Sequence, residues 1–121
     1  MNESSTDRQA RLFRALMHPV RIAILDTLRS GDQCVCHLEA QLGLRQAYIS
    51  QQLAELRAAG LVRDRRDGWN VYYGVAQPDV FALLDMARAM VGGTPASDPH
   101  PTRLADCPCP KCTAVADPVP G

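Results

Sequence analysis

Apolar positions along the chain recur with two different periods. Through the first sixty residues they return every three or four. Leu12, Phe13 and Leu16 form one stripe between Asp7 and Met17, which predicts a first helix after a polar segment, residues 1–6, expected to fray. His18-Pro19 interrupts that helix. Proline suits the first position of a new helix, where its missing N–H is an orphan anyway. The second helix carries Ile22, Leu25 and Leu28 on one side with Ile24 nearby, and Ser30-Gly31-Asp32 ends it. Val35, Leu38 and Leu42, at i, i+3 and i+7, predict a short third helix. Gly43-Leu44 makes a turn, and residues 45–59 form a fourth helix with Ile49, Leu53 and Leu56 inward. Gly60 closes it as a left-handed cap.

The period then switches to two. Residues 61–66 and 70–75 read as paired strands, with Asp67-Gly68 between them as the hairpin signal. Pro78 opens a last helix with Val80, Leu84, Ala87 and Val91 on one stripe and Phe81, Leu83 and Met90 beside it. A stripe that wide, at the end of a small domain, predicts packing against a second copy of the chain. The order is α-α-α-α-β-β-α: a mainly α winged helix-turn-helix over residues 7–91, with the β-hairpin as its wing. Residues 94–121 hold seven of the nine prolines and almost no large apolar side chains. The segment 92–121 is therefore expected to be a flexible tail, unable to bury enough surface to fold alone.

At 121 residues the chain is one domain's worth, and its formal net charge is zero. A nucleic-acid binder of this composition must concentrate its cations locally. Lys111 is the single lysine; the other cations are arginine. In the winged reading the fourth helix enters the major groove, with base contacts near its N-terminal end. Gln46, Tyr48, Ser50 and Gln51 lie on or beside its exposed side, and glutamine can pair bidentately with adenine. Arg45 and Arg57 are placed for phosphates, and Arg63, Arg65 and Arg66 form a basic wing. Trp69 at the wing tip is expected to pack on the hairpin.

No apolar run is long enough to span a membrane, and no basic-then-apolar leader opens the chain. The expectation is a cytoplasmic protein whose five cysteines stay reduced, an odd count that favours metal or redox chemistry over a disulfide framework. Cys34 and Cys36 cannot point one way from a regular helix, since residues i and i+2 are roughly 200° apart. They converge only if Cys34 lies at or before the helix start. There the helix N-terminus favours thiolate, which is both ligand and nucleophile. Soft thiolates suit thiophilic ions. No nucleophile–base–orienter pattern, phosphate loop or paired acids point to an enzyme. The two Cys-Pro steps of the tail are weak evidence for haem.

These segments together resemble the ArsR/SmtB family of metalloregulatory repressors. The resemblance is carried by Ala15-Leu16-Met17-His18-Pro19-Val20-Arg21-Ile22-Ala23-Ile24-Leu25, by Cys34-Val35-Cys36 and by Leu42-Gly43-Leu44. It continues through residues 49–62 (ISQQLAELRAAGLV) and through Asp67-Gly68 with Val71-Tyr72-Tyr73. It implies a homodimer, joined by the first and last helices, that binds double-stranded operator DNA and leaves it when an inducer binds. Cysteine-rich members place a third ligand three residues on. Here that residue is Glu39, so the common arsenic-sensing triad is incomplete. Cadmium/lead sensors complete Cys-Val-Cys from a terminal extension. Cys107, Cys109 and Cys112 stand in such an extension at the other end, kept extended by Pro108 and Pro110.

The expectation is a site of three or four sulfurs, Cys34 and Cys36 plus two tail cysteines. It would take Cd(II), Pb(II) or As(III), with Zn(II) also accommodated, and derepress resistance or efflux genes. The alternative keeps the fold and makes Cys34 a redox- or persulfide-sensing thiol. The zinc site that some members build on the last helix from Asp and His is not expected, because Asp79 and Asp85 have no histidine beside them. His37 abuts the thiol pair and is a candidate ligand, though such a histidine is more often just exposed, and His18 reads as a capping or structural residue.

Overall fold

The computed structural model describes residues 3–93. Helix α1 (Ser5–Leu16) begins inside the segment expected to fray. A reciprocal cap explains this: Ser4 Oγ accepts the Asp7 N–H at 3.0 Å, and the Asp7 carboxylate accepts the Ser4 N–H at 3.2 Å. Helix α2 (Pro19–Thr27) starts on its proline, and His18 Nδ1 accepts the Val20 N–H at 3.1 Å, the capping role expected of it. A short 3-10 turn, Leu28–Ser30, follows.

Strand β1 (Gln33–Cys34) comes next, an element the apolar pattern did not announce. Helix α3 (Val35–Leu42) stops at Gly43, whose φ of 67° is left-handed. Helix α4 (Gln46–Ala58) stops before Gly60, also left-handed at 78°, which turns the chain into the hairpin. Strands β2 (Val62–Asp67) and β3 (Asn70–Val75) form that hairpin, and α5 (Asp79–Met90) ends the described elements. The sheet is antiparallel in the order β1-β3-β2, so the wing is three-stranded at its base. Cys34 pairs with Tyr72, and Tyr72 with Arg65 on the other side.

Ile24 and Leu25 of α2, Leu38 of α3, Ile49, Leu53 and Leu56 of α4, and Leu61 before β2 are fully buried. Each contributes about 1.5–3 kcal/mol relative to exposure in water. Helix α4, which carries the candidate base readers, is thus seated by its whole inner face. A polar clamp adds to this. Arg21 Nε donates to Gln52 Oε1 at 2.8 Å and Arg21 Nη1 to the Ala15 carbonyl at 3.2 Å, joining α2 to α4 and α1. A second clamp fixes α5: Asp26 accepts from Arg29 and Arg88, and Arg29 also donates to Asp85 at 2.7 Å. The Arg29 guanidinium lies over the Phe81 ring at 4.8 Å. Val80 and Leu84 of α5 are buried, while Phe13 and Met17 at α1 and Met86, Met90 and Val91 at α5 are exposed.

Candidate nucleic-acid interface and thiol pair

Ile49, Gln52, Leu53 and Leu56 form the buried face of α4. The rest of the helix therefore points outward: Arg45, Gln46 and Gln51 are exposed, as is Arg57, and Ser50 is half-buried. Tyr48 sits at the edge of this surface with its hydroxyl 3.2 Å from His18 Nε2. His18 Nδ1 already accepts from Val20, so the ring proton is on Nε2, which donates to the Tyr48 oxygen. Tyr48 is thus tied to the α1–α2 junction rather than standing clear of the fold. Gln52, the inward glutamine, accepts from Arg21 instead of facing solvent.

The wing is less simply basic than its arginines implied. Arg63 makes two hydrogen bonds to the Asp32 carboxylate, at 3.1 and 3.2 Å, and Arg65 Nε reaches the same group at 3.4 Å. The Arg65 guanidinium also lies 4.9 Å from the Tyr72 ring centroid. Arg57, at the end of α4, pairs with Asp64 at 3.2 Å. Arg66 is exposed on β2. Asp32 reaches across β3 because residue 74 is glycine; a Cβ there would run into its carboxylate. Burial by itself would raise the Asp32 pKa, but the hydrogen bonds and charges of Arg63 and Arg65 outweigh it and hold the carboxyl below its usual value. Trp69, expected to pack on the hairpin, is instead 99% exposed at its tip.

Cys34 occupies the N-cap position of α3, where the geometry of the pair requires it, and its Sγ accepts the His37 N–H at 3.3 Å. It is 5% exposed, and Cys36 is half-buried. His37, expected to be exposed, is fully buried, because the N-terminal turn of α3 rests on the sheet through β1. Cys36 and Glu39 of α3 share an open groove of about 720 Å³ with Arg45 and Gln46 at the start of α4. Among the described residues, no three His, Cys, Asp or Glu side chains are grouped to hold a metal ion. Cys107, Cys109 and Cys112, expected to supply further sulfurs, lie outside the described residues. No helix among the described residues is long and apolar enough to cross a membrane.

Comparison with known proteins agrees with this layout. Residues 18–64 match the model of the arsR family of bacterial regulatory proteins. Over 84 residues the chain is 43% identical to the HTH-type transcriptional regulator Rv0081 of Mycobacterium tuberculosis, covering 69% of this chain and 74% of that one. The crystal structure of Rv0081 superposes with a TM-score of 0.67 at 40% identity, covering 75% of this chain and 92% of that chain. The homodimeric winged helix-turn-helix DNA-binding domain of Mb0332 from Mycobacterium bovis gives 0.65 at 30% identity, covering 76% and 90%. The transcriptional repressor BigR of Xylella fastidiosa gives 0.61 at 33% identity, covering 70% and 84%.

Proposed function

The chain belongs to the ArsR family of bacterial regulatory proteins, and from that premise we propose that it is a homodimeric transcriptional repressor whose grip on operator DNA is set by the chemistry of Cys34 and Cys36. The observation that carries this reading is the position of Cys34. Its sulfur caps a helix N-terminus, where it accepts the His37 N–H. Its backbone is in the same ladder as the wing. Cys36, two residues on, faces the groove that ends at Arg45 and Gln46. One inducer site therefore borders both proposed DNA-contacting elements.

DNA binding rests on α4 and the wing. Gln46 and Gln51 are the exposed amides able to pair with adenine, with Ser50 beside them. Arg45, Arg57, Arg63, Arg65 and Arg66 meet phosphates, which fixes register without reading sequence. Tyr48 orients the start of α4 through His18. Phe13, Met17, Met86, Met90 and Val91 supply apolar surface for a second copy, in keeping with the homodimeric Mb0332 domain.

The donor set fits a thiophilic ion. Cys34 and Cys36 are two soft sulfurs at a helix N-terminus, half of a trigonal or tetrahedral site for Cd(II), Pb(II), As(III) or Zn(II). The tail cysteines 107, 109 and 112 are the source of the rest. Ion binding and DNA binding then oppose one another by the same factor, typically about 1–3 kcal/mol. The test is an absorption titration with Cd(II) and As(III), in full-length and tail-deleted protein, run beside an operator-binding titration. Sulfur-to-metal absorption that weakens on tail deletion, with ion-dependent operator release, supports the reading; reduced protein whose DNA affinity ignores every ion overturns it.

One observation favours a second reading, a thiol-redox or persulfide repressor of the same fold: the described residues bring only two sulfurs and no third ligand to α3. Mass spectrometry after mild oxidation separates the two. A Cys34–tail disulfide coupled to DNA release supports the redox form.

A further inference from the structure

We infer that the cleft between α1 and α4 is a site for a small organic acid, an effector separate from the ion proposed for Cys34 and Cys36. The inference goes beyond the repressor reading and does not depend on it. Two cavities meet in this cleft. One, of about 320 Å³, is lined by Arg11, Arg14, Arg21 and Glu55 together with three alanines. The other, of about 470 Å³, shares Arg11 and Ala59 with it and continues along α1 past Arg8 and Leu12. The first has the volume of a small-ligand site. Its three arginines face one glutamate, in a chain whose formal net charge is zero, so the positive charge is local to the cleft. Arg11 is paired with Glu3. Among the described residues, neither Arg14 nor Arg21 is paired with a carboxylate.

Arg21 is half-buried and held in place by its bonds to Gln52 Oε1 and the Ala15 carbonyl. Both acceptors are neutral, so the charge is not cancelled, and the other guanidinium N–H donors are left for a ligand. A guanidinium already fixed loses little freedom on taking a carboxylate, the group its planar fork matches bidentately. Arg14 supplies a second cation from α1. Ala15, Ala58 and Ala59 give the apolar part of the lining, and their small side chains leave room for a single ring or a branched chain. Glu55 is an acceptor in the same cavity, suited to a hydroxyl or amino substituent on the acid. A concave, alanine-lined cavity suits such a molecule better than a DNA strand. Phe13, part of the surface assigned to a second copy, lies roughly 200° round α1 from Arg11, so pairing through Phe13 leaves the arginine face open. An acid bound here touches Arg21, the residue that holds Gln52, and its arrival is passed directly to α4.

The test is an NMR titration of full-length, reduced, isotope-labelled protein with benzoate, phenylacetate and isovalerate, and in parallel with benzamide and inorganic phosphate. The samples contain no DNA, so the outcome is separate from the repressor reading. The expected result is saturable shifts with at least one of the carboxylates, confined to the amides that border the cleft on α1, α2 and α4 and to the Arg21 Nε–H. Benzamide keeps the ring without the charge, and phosphate keeps the charge without the apolar body. Each should bind roughly fivefold more weakly or worse. Arg14→Gln, at an exposed position, should weaken the carboxylate roughly tenfold with the urea midpoint of the parent. No saturable shift with any of the three carboxylates overturns the site, as does an Arg14→Gln protein that binds like the parent. Phosphate binding as well as the carboxylates overturns the organic acid in favour of a bare anion. Benzamide binding as well overturns the role of the arginines. Shifts at the same residues on raising protein concentration alone assign the cleft to a second copy and also overturn it.

Discussion

Cys34 and Tyr72 are cross-strand partners, and Tyr72 is in turn the partner of Arg65, whose guanidinium lies 4.9 Å from its ring centroid. One row across three strands therefore runs from the candidate sensing thiol to a candidate phosphate contact. Tyr72→Leu keeps apolar bulk in the row and removes the ring beneath Arg65. It should leave Cd(II)-to-thiolate absorption intact while shrinking the ion-induced loss of operator affinity from the roughly 5–150-fold range of such couplings toward twofold. Cys34→Ser should abolish the response and leave metal-free affinity within about twofold. A Tyr72→Leu protein that responds like the parent rules the row out as the link.

Asp32 holds Arg63 and Arg65 in ion pairs, so in the proposed complex it competes with DNA for both. Asp32→Asn should tighten binding at low salt and steepen the log-affinity against log-salt slope by about one, the slope of roughly one extra phosphate contact. Gly74→Ala should move the slope the same way, because its Cβ displaces the Asp32 carboxylate. Slopes equal to the parent's in both variants would show that the pairs persist on DNA.

The same carboxylate sets an acid limb on stability. Its folded pKa is lowered, so the stabilisation is complete above the unfolded value, about 3.9, and is lost as pH falls through the folded one. Urea titrations across pH 6 to 2.5 should find the parent's advantage over Asp32→Asn constant at the upper end and narrowing below about pH 4. A gap independent of pH would mean the charge is not its source.

Gln52→Ala removes the acceptor of Arg21 Nε at the α2–α4 contact. The cost expected from a partly buried donor left without its acceptor is about 1–3 kcal/mol, measured by urea unfolding. Operator affinity should fall as well, because α4 loses a fixed point near its reading face. Arg21→Ala together with Gln52→Ala should cost less than the sum of the two single changes.

Met90→Glu places a charge on the exposed apolar end of α5. Sedimentation should show a shift from dimer to monomer at micromolar concentration, with unchanged helical content and weaker DNA binding. A variant that stays dimeric would move the interface away from α5.

The helices were legible because each needs an apolar stripe and several carry their own stop, Gly43 and Gly60 among them. Strand β1 was not, since two residues cannot show a period and Gln33 and Cys34 join the sheet only through Tyr73 and Tyr72, some forty positions away. That hidden strand accounts for the other departures. It buries His37 and brings Asp32 level with Gly74 so that it reaches Arg63 and Arg65. Gln52 follows the exposed Gln51 but lies on the inner face, where it accepts from Arg21, a partner 31 positions away. Trp69 suggested packing by residue type alone; a two-residue loop gives it nothing to pack on.

The pairing of Arg57 with Asp64, and of Arg63 and Arg65 with Asp32, bears on how the protein finds its target. Random sequence attracts a regulator almost entirely through phosphate charge, and here three of the five proposed phosphate arginines are already paired with carboxylates. On the proposed repressor reading, stops at wrong sites are expected to be short as a result. A small number of copies can then keep one promoter occupied, provided the base-reading residues make up the affinity that the wing gives away.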